Sequence, residues 1–464
     1  RPNVLIGKFE ETFLDVPPEC LILTMKANQK YFPLLDAEGK LTNRFLIVSN
    51  ISPADPSAVI QGNERVVRPR LADAKFFYDQ DRKKTLESRV AGMAEGVYHN
   101  KLGSQGERVG RVMAIAQAIG KKLGNEELAM QAERAAWLAK ADLLTDMVGE
   151  FPELQGIMGR YYAQHDGLGD VVAFAIEDHY KPRFSGDELP RNNVGVCVAL
   201  ADKMETILSL FQIGERPTGD KDPFALRRHT LGVIRILIDY DSPLGLVELI
   251  EVASRAYSDT IERPEFVAYR RADAKRKGFS FSNLSVQIKI LDETKSTVVD
   301  FFFERLSGLM KEQGFTTNEV DAVLSLRPDR IDKVTSLLQA VRAFSGLPQA
   351  ASLSAANKRV GNILRKAVGT VSEAADPAHL VENAEKALFA ALSEIAPKAD
   401  AAFVSGDYTA SLQALAALKA PVDAFFDNVM VNADDPALRA NRLALLNQLH
   451  QTMNRVADIS RLAA

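Results

Sequence analysis

The sequence predicts a mainly α-helical protein with a small β-containing segment at its N-terminal end. Apolar residues recur at helical spacing through most of the chain after about residue 62, and the C-terminal third is rich in Ala and Leu. Of the 464 residues, 46% are hydrophobic and 25% are charged, which is the composition of an ordinary globular protein. Because a single core rarely grows to that size, we expect two to four domains.

The β-containing segment is predicted over residues 1–60. Cys20–Met25 and Arg44–Ser49 are short apolar runs that read as strands. Asp36-Ala37-Glu38-Gly39 lies between them and is a predicted turn, with Gly39 at the position that tolerates a positive φ.

Helical patterns follow from Gly62–Tyr78 to the C-terminal end. Arg108–Leu123 is a predicted helix that ends at Gly124, and Glu126–Val148 is a long amphipathic run. Further helices are predicted at 153–165, 169–180, 192–212, 224–240, 245–260, 296–313, 317–325, 330–344, 350–368, 378–394, 398–418 and 435–462. A linker or insertion with a basic cluster is expected at 263–283.

Charge and cysteine content narrow the classes of function. The net charge of −4 and the pI of about 6.0 argue against a protein that coats nucleic acid, so any RNA contact must come from local basic patches. Two isolated cysteines without a CxxC pattern disfavour a zinc site and suit a reducing, cytoplasmic compartment.

No apolar run is long enough to span a bilayer, so we expect no membrane contact. Since the chain begins Arg1-Pro2 without Met, we expect it to be a piece of a longer protein.

Two groups of polar residues in the C-terminal region are candidate RNA contacts, since Arg and Lys hold phosphates while Asn offers a donor and an acceptor to base edges. They are Asn357, Lys358 and Arg359 on one predicted helix, and Arg439, Asn441 and Arg442 at the start of the last one. In the alternative interpretation, the arginines of the second group pair with Asp427, Asp434 or Asp435 and brace the helices.

Several long motifs resemble the β subunit of the bacterial two-subunit glycyl-tRNA synthetase family. They run in order through nearly the whole chain: TMKANQKYFPLLD (24–36), NRFLIVSNI (43–51), GNERVVRPRLADAKFFYDQDRK (62–83), KADLLTDMVGEFPELQGIMGRYYA (140–163), DPFALRRHTLGVIRI (222–236), SAANKRVGNIL (354–364) and PVDAFFDNVMVNADDPALRANRLALL (421–446). The resemblance implies four regions. They are the end of a β-containing accessory domain (1–85), an HD-like helical domain (86–245), a helical linker or body region (246–353) and a helical-bundle anticodon-binding domain (354–464).

The HD-like region resembles metal-dependent phosphohydrolases that hold metal with histidines, an adjacent His-Asp pair and a later Asp. Only Asp142 and Asp202 match that pattern, because Ala141 stands at the His position and the helix 108–123 contains no His. Two carboxylates without imidazole make a weak metal site at best, so we expect a degenerate domain that binds no metal. A phosphohydrolase that uses Asp142 and Asp202 is the competing hypothesis.

The chain contains no GxxxxGK[ST] loop and no recognisable adenylate-forming motif, so we expect it to carry no catalytic residue and to bind no cofactor. The resemblance implies a tRNA-binding β subunit of a glycine-tRNA ligase, in which ATP and Mg²⁺ are used by the holoenzyme and the α subunit performs the chemistry. It also implies tRNA(Gly) as the RNA partner and an α2β2 assembly. An RNA-binding module that needs no α partner is a third hypothesis.

Overall fold

The computed structural model describes residues 2–240, 242–262, 267, 289–367 and 369–463, and this part of the chain is mainly helical, as predicted. Its strands are β1 (Asn3–Lys8), β2 (Phe32–Leu35), β3 (Leu41–Ser49), β4 (Val97–His99) and β5 (Gly103–Ser104). Its first eleven helices are α1 (Pro18–Gln29), α2 (Ser57–Asp81), α3 (Leu86–Arg89), α4 (Gln105–Leu123), α5 (Glu126–Leu138), α6 (Asp146–Glu150), α7 (Ile157–His165), α8 (Asp170–Asp178), α9 (Asn193–Gln212), α10 (Leu226–Asp239) and α11 (Leu246–Glu262). The remaining described helices are α12 (Asp292–Glu312), α13 (Thr317–Leu324), α14 (Val334–Ser345), α15 (Ala350–Lys366), α16 (Asn383–Val404), α17 (Tyr408–Ala414), α18 (Lys419–Asn428) and α19 (Pro436–Met453).

The main sheet is antiparallel, with the order β1-β3-β2. The predicted turn at residues 36–39 joins β2 to β3, and Gly39 adopts a φ of +79° there. One face of the sheet is buried around Phe45, whose ring lies 4.9 Å from that of Tyr31. Gly7 stands opposite Phe45 in the register, and a Cβ at Gly7 would come within 2.6 Å of the Phe45 ring. A side chain at residue 7 therefore has no room.

The predicted strand Cys20–Met25 is wrong, because these residues lie within helix α1. Its buried positions, Cys20, Leu21 and Met25 together with Thr24, follow the spacing of one helical face and do not alternate. Pro18 at the first helical position and Glu19 in the first turn favour a helix start.

Helix α9 is a central helix that is enclosed by its neighbours. Every residue from Val194 to Phe211 is buried, and the helix packs against α4, α5 and α8. A helix that is enclosed on all sides needs apolar residues around its whole circumference, which explains why most residues of α9 are apolar. Acidic residues in such a helix therefore need partners of their own.

The predicted continuous helix Glu126–Val148 is interrupted after Leu138. A short 3₁₀ segment, Ala141–Leu144, follows, and Thr145 caps the next helix by accepting a hydrogen bond from the backbone N–H of Val148. Thr is a strong N-cap residue, so a new helix start inside the amphipathic run has a local cause. By contrast, the predicted end of α4 at Gly124 is confirmed.

The chain forms two compact units, one of residues 1–236 and 249–295 and the other of residues 237–248 and 296–464. Within the second unit, α15 packs against α19 and the 3₁₀ segment Ile459–Leu462, while α16 packs against α17, α18 and α19. The segment 246–353, predicted as one linker or body region, is divided between the two units. The four predicted regions remain predictions, as does the basic cluster at 263–283, most of which lies outside the described residues.

Among the described residues, none of the helices is both long enough and apolar enough to cross a membrane. Both cysteines, Cys20 and Cys197, are fully buried and unpaired.

Candidate nucleic-acid interface and a buried charge cluster

Helix α15 carries a stripe of exposed cations. Lys358, Arg359, Arg365 and Lys366 are all exposed, and none of them forms an ion pair with an acidic residue of the described chain. Lys358, Arg359 and Lys366 line one open cleft with a volume of about 360 Å³. Cations that are not committed to a carboxylate remain available to an anion, and their convergence on one cleft suits a phosphate group.

Arg359 is held in place by an aromatic ring. Its guanidinium carbon lies 4.2 Å from the centroid of the Phe426 ring of α18, a cation–π arrangement that restricts the side chain without neutralising it. Arg359 therefore presents a fixed positive charge at the cleft.

Asn357, the neighbour of these cations, points inward. Its side chain is fully buried and exchanges two hydrogen bonds with Asn454, at 2.7 and 3.1 Å. This reciprocal amide pair joins α15 to the C-terminal end of α19. Asn357 thus positions the cationic helix, and an RNA contact by its own side chain would require this pair to open.

Arg442 is also buried, and it braces two helices. Its guanidinium donates to the carboxylate of Glu385 on α16 and, over 2.7 Å, to the backbone carbonyl of Met430. Burial alone would raise the pKa of Glu385, but the hydrogen bonds from Arg442 and from the N–H groups of Val381 and Glu382 lower that pKa below its usual value. In the alternative interpretation of the sequence, Arg442 braces helices by pairing with Asp427, Asp434 or Asp435. The structure shows this bracing role for Arg442, but its acidic partner is Glu385.

Arg439 and Asn441 differ from Arg442 in exposure. Arg439 is exposed and has no acidic partner among the described residues. Asn441 is partly exposed and exchanges two hydrogen bonds with the backbone of Asp376, at 2.7 and 3.1 Å, which fixes the loop ahead of α16. Of the six predicted contact residues, Lys358, Arg359 and Arg439 are thus the three whose charges are free at the surface.

A second cluster of charges is buried in the first unit around Asp202 and Glu205 of α9. Arg108 of α4 lies 2.9 Å from each of the two carboxylates, and Arg111 lies 2.8 Å from Glu205. Lys140 approaches Asp202 at 3.5 Å from the break after α5. All five side chains are at most a tenth exposed, so each of the two carboxylates needs a cation beside it.

The pKa shifts show which partner dominates. Burial would raise the pKa of Asp202, but Arg108 and Lys140 hold it well below its usual value. Burial lowers the pKa of Lys140 to about 8 even though Asp202 opposes that shift. Both pKa values are lowered, which favours the charged form of Asp202 but the neutral form of Lys140, because Arg108 is the closer partner of Asp202 and its charge also repels Lys140. Arg108 is therefore the main counter-charge of Asp202, and Lys140 is the weaker one.

Asp142 lies near this cluster but is bound differently. One carboxylate oxygen accepts the N–H groups of Gly156 and Gly159, at 2.6 and 3.1 Å, and the other has no hydrogen-bond partner. Burial raises the pKa of Asp142 to about 6, against these hydrogen bonds and the charge of Lys140. The carboxylate fastens the turn before α7, where Gly156 has a φ of +82°.

Asp142 and Asp202 thus both have an architectural role in this structure. Across the described part of the chain, no group of three or more His, Cys, Asp or Glu side chains is arranged to hold a metal ion. The cations that face Asp202 are the chain's own arginine and lysine. This arrangement does not favour the competing phosphohydrolase hypothesis, which needs a metal to polarise phosphate and activate water.

Arg108, Arg111 and Glu205 were not predicted as functional residues, although the sequence contains a signal for them. Arg108 and Arg111 are three residues apart on one otherwise apolar helix face, and Asp202 and Glu205 have the same spacing on an almost wholly apolar helix. Matching spacings of opposite charge on two buried helices predict an interhelical pairing.

Comparison with protein families decides which family this is. A family model described as "Glycyl-tRNA synthetase beta subunit" matches residues 1–325. The chain belongs to the glycyl-tRNA synthetase β-subunit family. A second family model, described as "DALR anticodon binding domain", matches residues 353–460 and so covers the cationic helix, the Asn357–Asn454 pair and Arg442.

Curated relatives extend the similarity over the whole chain. The glycine–tRNA ligase β subunits of Thiobacillus denitrificans, Methylobacillus flagellatus and Dechloromonas aromatica are 71%, 62% and 63% identical to it over 464 residues. The match covers 100% of this chain but only 61–62% of each relative, so the chain spans less than two thirds of their length. The family assignment made from the ordered motifs is confirmed.

Proposed function

We propose that this chain is the tRNA-binding part of the β subunit of a heteromeric glycyl-tRNA synthetase, which attaches glycine to tRNA(Gly) in the cytoplasm. The observation that supports this function best is the cleft on α15, where Lys358, Arg359 and Lys366 converge within the region that matches an anticodon-binding family. RNA is a polyanion, and binding to such a surface gains free energy from the release of its counterions.

In this proposal an α subunit performs the chemistry and uses ATP and Mg²⁺, within an α2β2 assembly. The name of the relatives, "Glycine--tRNA ligase beta subunit", supports a division of labour between unlike subunits. Binding energy that the β subunit collects far from the reacting end of the tRNA can then position that end on the α subunit.

The buried residues of the interface have a supporting part. Asn357 and Arg442 do not lie at the surface, and they fix α15, α16 and α19 in the arrangement that presents Lys358, Arg359 and Arg439. We propose that the exposed cations contact the RNA backbone and that the buried pair and the ion pair preorganise them.

The test is tRNA(Gly) binding by the α–β complex in which Lys358, Arg359 and Lys366 are all replaced by Ala. Each lost direct contact is expected to weaken binding by about 1–3 kcal/mol. It should also reduce the slope of log affinity against log salt concentration by about 1, the value for one phosphate contact. Lys386→Ala removes an exposed lysine from α16 and serves as the control. If the triple variant binds and charges tRNA like the wild type at low salt, the cleft is not the interface.

A pull-down with the α subunit separates this proposal from an RNA-binding module that acts alone. Retention of the α subunit by the β subunit, together with charging that needs both, supports the heteromeric ligase. Tight tRNA binding without any retention of the α subunit would contradict it.

A further inference from the structure

The outer face of the main sheet is apolar and bare. Val4, Ile6, Phe32 and Val48 are each at least half exposed, at 61%, 50%, 54% and 52%, and Leu46 lies between them. Ile6 and Phe32 both stand opposite Leu46, and Val4 stands opposite Val48, so the side chains form a continuous patch across all three strands. We call these five residues the outer sheet face.

This patch differs from scattered surface hydrophobics in its continuity. Single exposed apolar residues are common on any protein, but a contiguous apolar patch marks an interaction surface. None of the five residues is charged, and the nearest cations on the same side, Lys8 and Arg44, lie opposite each other at one end of the strands. A sheet of three strands with one bare apolar face normally has a second layer against it.

The chemistry of the patch restricts what can cover it. RNA needs cations or polar donors, and the centre of the outer sheet face offers neither. A transient protein partner is expected to meet a more polar surface, since permanent contacts are the ones that resemble a core cut in half.

The relatives are longer than this chain, and their additional part is a candidate for such a permanent occupant. More than a third of each relative lies outside the region that matches this chain. We infer that the outer sheet face is an internal interface of the full-length β subunit, covered by the part of the subunit that lies beyond these 464 residues. A segment of the same polypeptide is always present at high effective concentration, so it can keep an apolar face covered without a separate binding step.

Cysteine labelling of the full-length β subunit tests this inference. Both cysteines of these 464 residues are fully buried, and burial raises the pKa of each thiol to about 12, so their background reaction with a maleimide is slow. Any cysteine in the rest of the full-length subunit is replaced by Ser before labelling. Val48→Cys places a thiol in the patch, and Ile6→Cys places a second one on the neighbouring strand. Val404→Cys, at a position that is 79% exposed in the second unit, is the reference.

In the isolated full-length subunit, the thiols at positions 48 and 6 are expected to react at least tenfold more slowly than the thiol at position 404, at every protein concentration. All three rates should become equal in urea. The difference in exposure between the free positions, 52% and 50% against 79%, is less than twofold and cannot produce such protection.

Three results would overturn the inference. Equal native rates would show a bare face in the full-length subunit. Protection that grows with protein concentration would assign the face to a second copy of the subunit. Protection that needs added α subunit would assign it to that partner. None of these results bears on tRNA binding, so the proposed function is tested independently.

Discussion

Replacing Arg442 with Ala distinguishes a brace from an RNA contact. Arg442 is the donor to one carboxylate oxygen of Glu385, and the other oxygen keeps the N–H groups of Val381 and Glu382. The substitution therefore leaves one buried carboxylate oxygen and the carbonyl of Met430 without their donor. Breaking a buried ion pair costs about 3–5 kcal/mol. Because Glu385 keeps two backbone donors, we expect a value near the lower end, about 3 kcal/mol.

The assay is urea denaturation of the full-length β subunit, with hydrogen exchange in α16 and α19 to locate the loss, since a protein of two units need not unfold in one step. Arg439→Ala is the matched control, because it removes an exposed arginine one helical turn away. The control should change the free energy of unfolding by less than about 0.5 kcal/mol and should weaken tRNA binding by about 1–3 kcal/mol if it touches RNA directly.

The opposite pattern would refute this reasoning. If Arg442→Ala leaves the unfolding transition and the exchange rates unchanged while tRNA affinity falls, the side chain contacts RNA and the pairing with Glu385 is not its main role. Adding Glu385→Gln to Arg442→Ala should recover part of the lost stability, because the remaining buried charge is then gone.

Three further perturbations address the first unit. Arg108→Met should lower the free energy of unfolding by about 3–5 kcal/mol, because Asp202 and Glu205 lose their shared partner. Lys121→Met, at an exposed ion pair, is the control and should lower it by less than about 1 kcal/mol in the same denaturation experiment. Asp142→Asn should raise the melting temperature more at pH 7 than at pH 4.5. The folded-state pKa of Asp142 is raised to about 6, so the wild-type carboxylate destabilises the fold increasingly as pH rises through the interval from about 4 to 6, and an equal effect at both values would contradict this. Gly7→Ala should destabilise the fold by about 1–3 kcal/mol, because the added Cβ meets the Phe45 ring. Gly62→Ala, in an exposed helical position with open space around it, should stabilise the fold by about 0.5–1 kcal/mol. Equal melting temperatures for the two variants would exclude the clash.

The sequence was sufficient for the helical class, the family and several helix ends, because those depend on local patterns and on long ordered motifs. The end of α4 at Gly124 and the turn at Asp36–Gly39 were both predicted. Cys20–Met25 was assigned to a strand because a short apolar run looks alike in both conformations, and only the burial of positions 20, 21, 24 and 25 reveals the helical face.

The sequence predicted which residues belong to the candidate interface, but not which of their side chains point to the surface. Lys358 and Asn357 are adjacent in sequence, yet one is exposed and the other is fully buried, because neighbouring residues on a helix point about 100° apart. Which face of α15 meets α19 depends on tertiary packing. The partner of Arg442 was missed for the same reason, since Glu385 is 57 residues away in the chain.

The charge cluster around Asp202 has a consequence for how this part of the protein tolerates its surroundings. Its counter-ions are side chains, attached covalently to α4 and to the segment after α5, so chelators cannot extract them and scarcity of divalent ions cannot deplete them. The two buried carboxylates therefore keep cations beside them whatever metal ions the medium holds, because those cations belong to the polypeptide and are not acquired from solution.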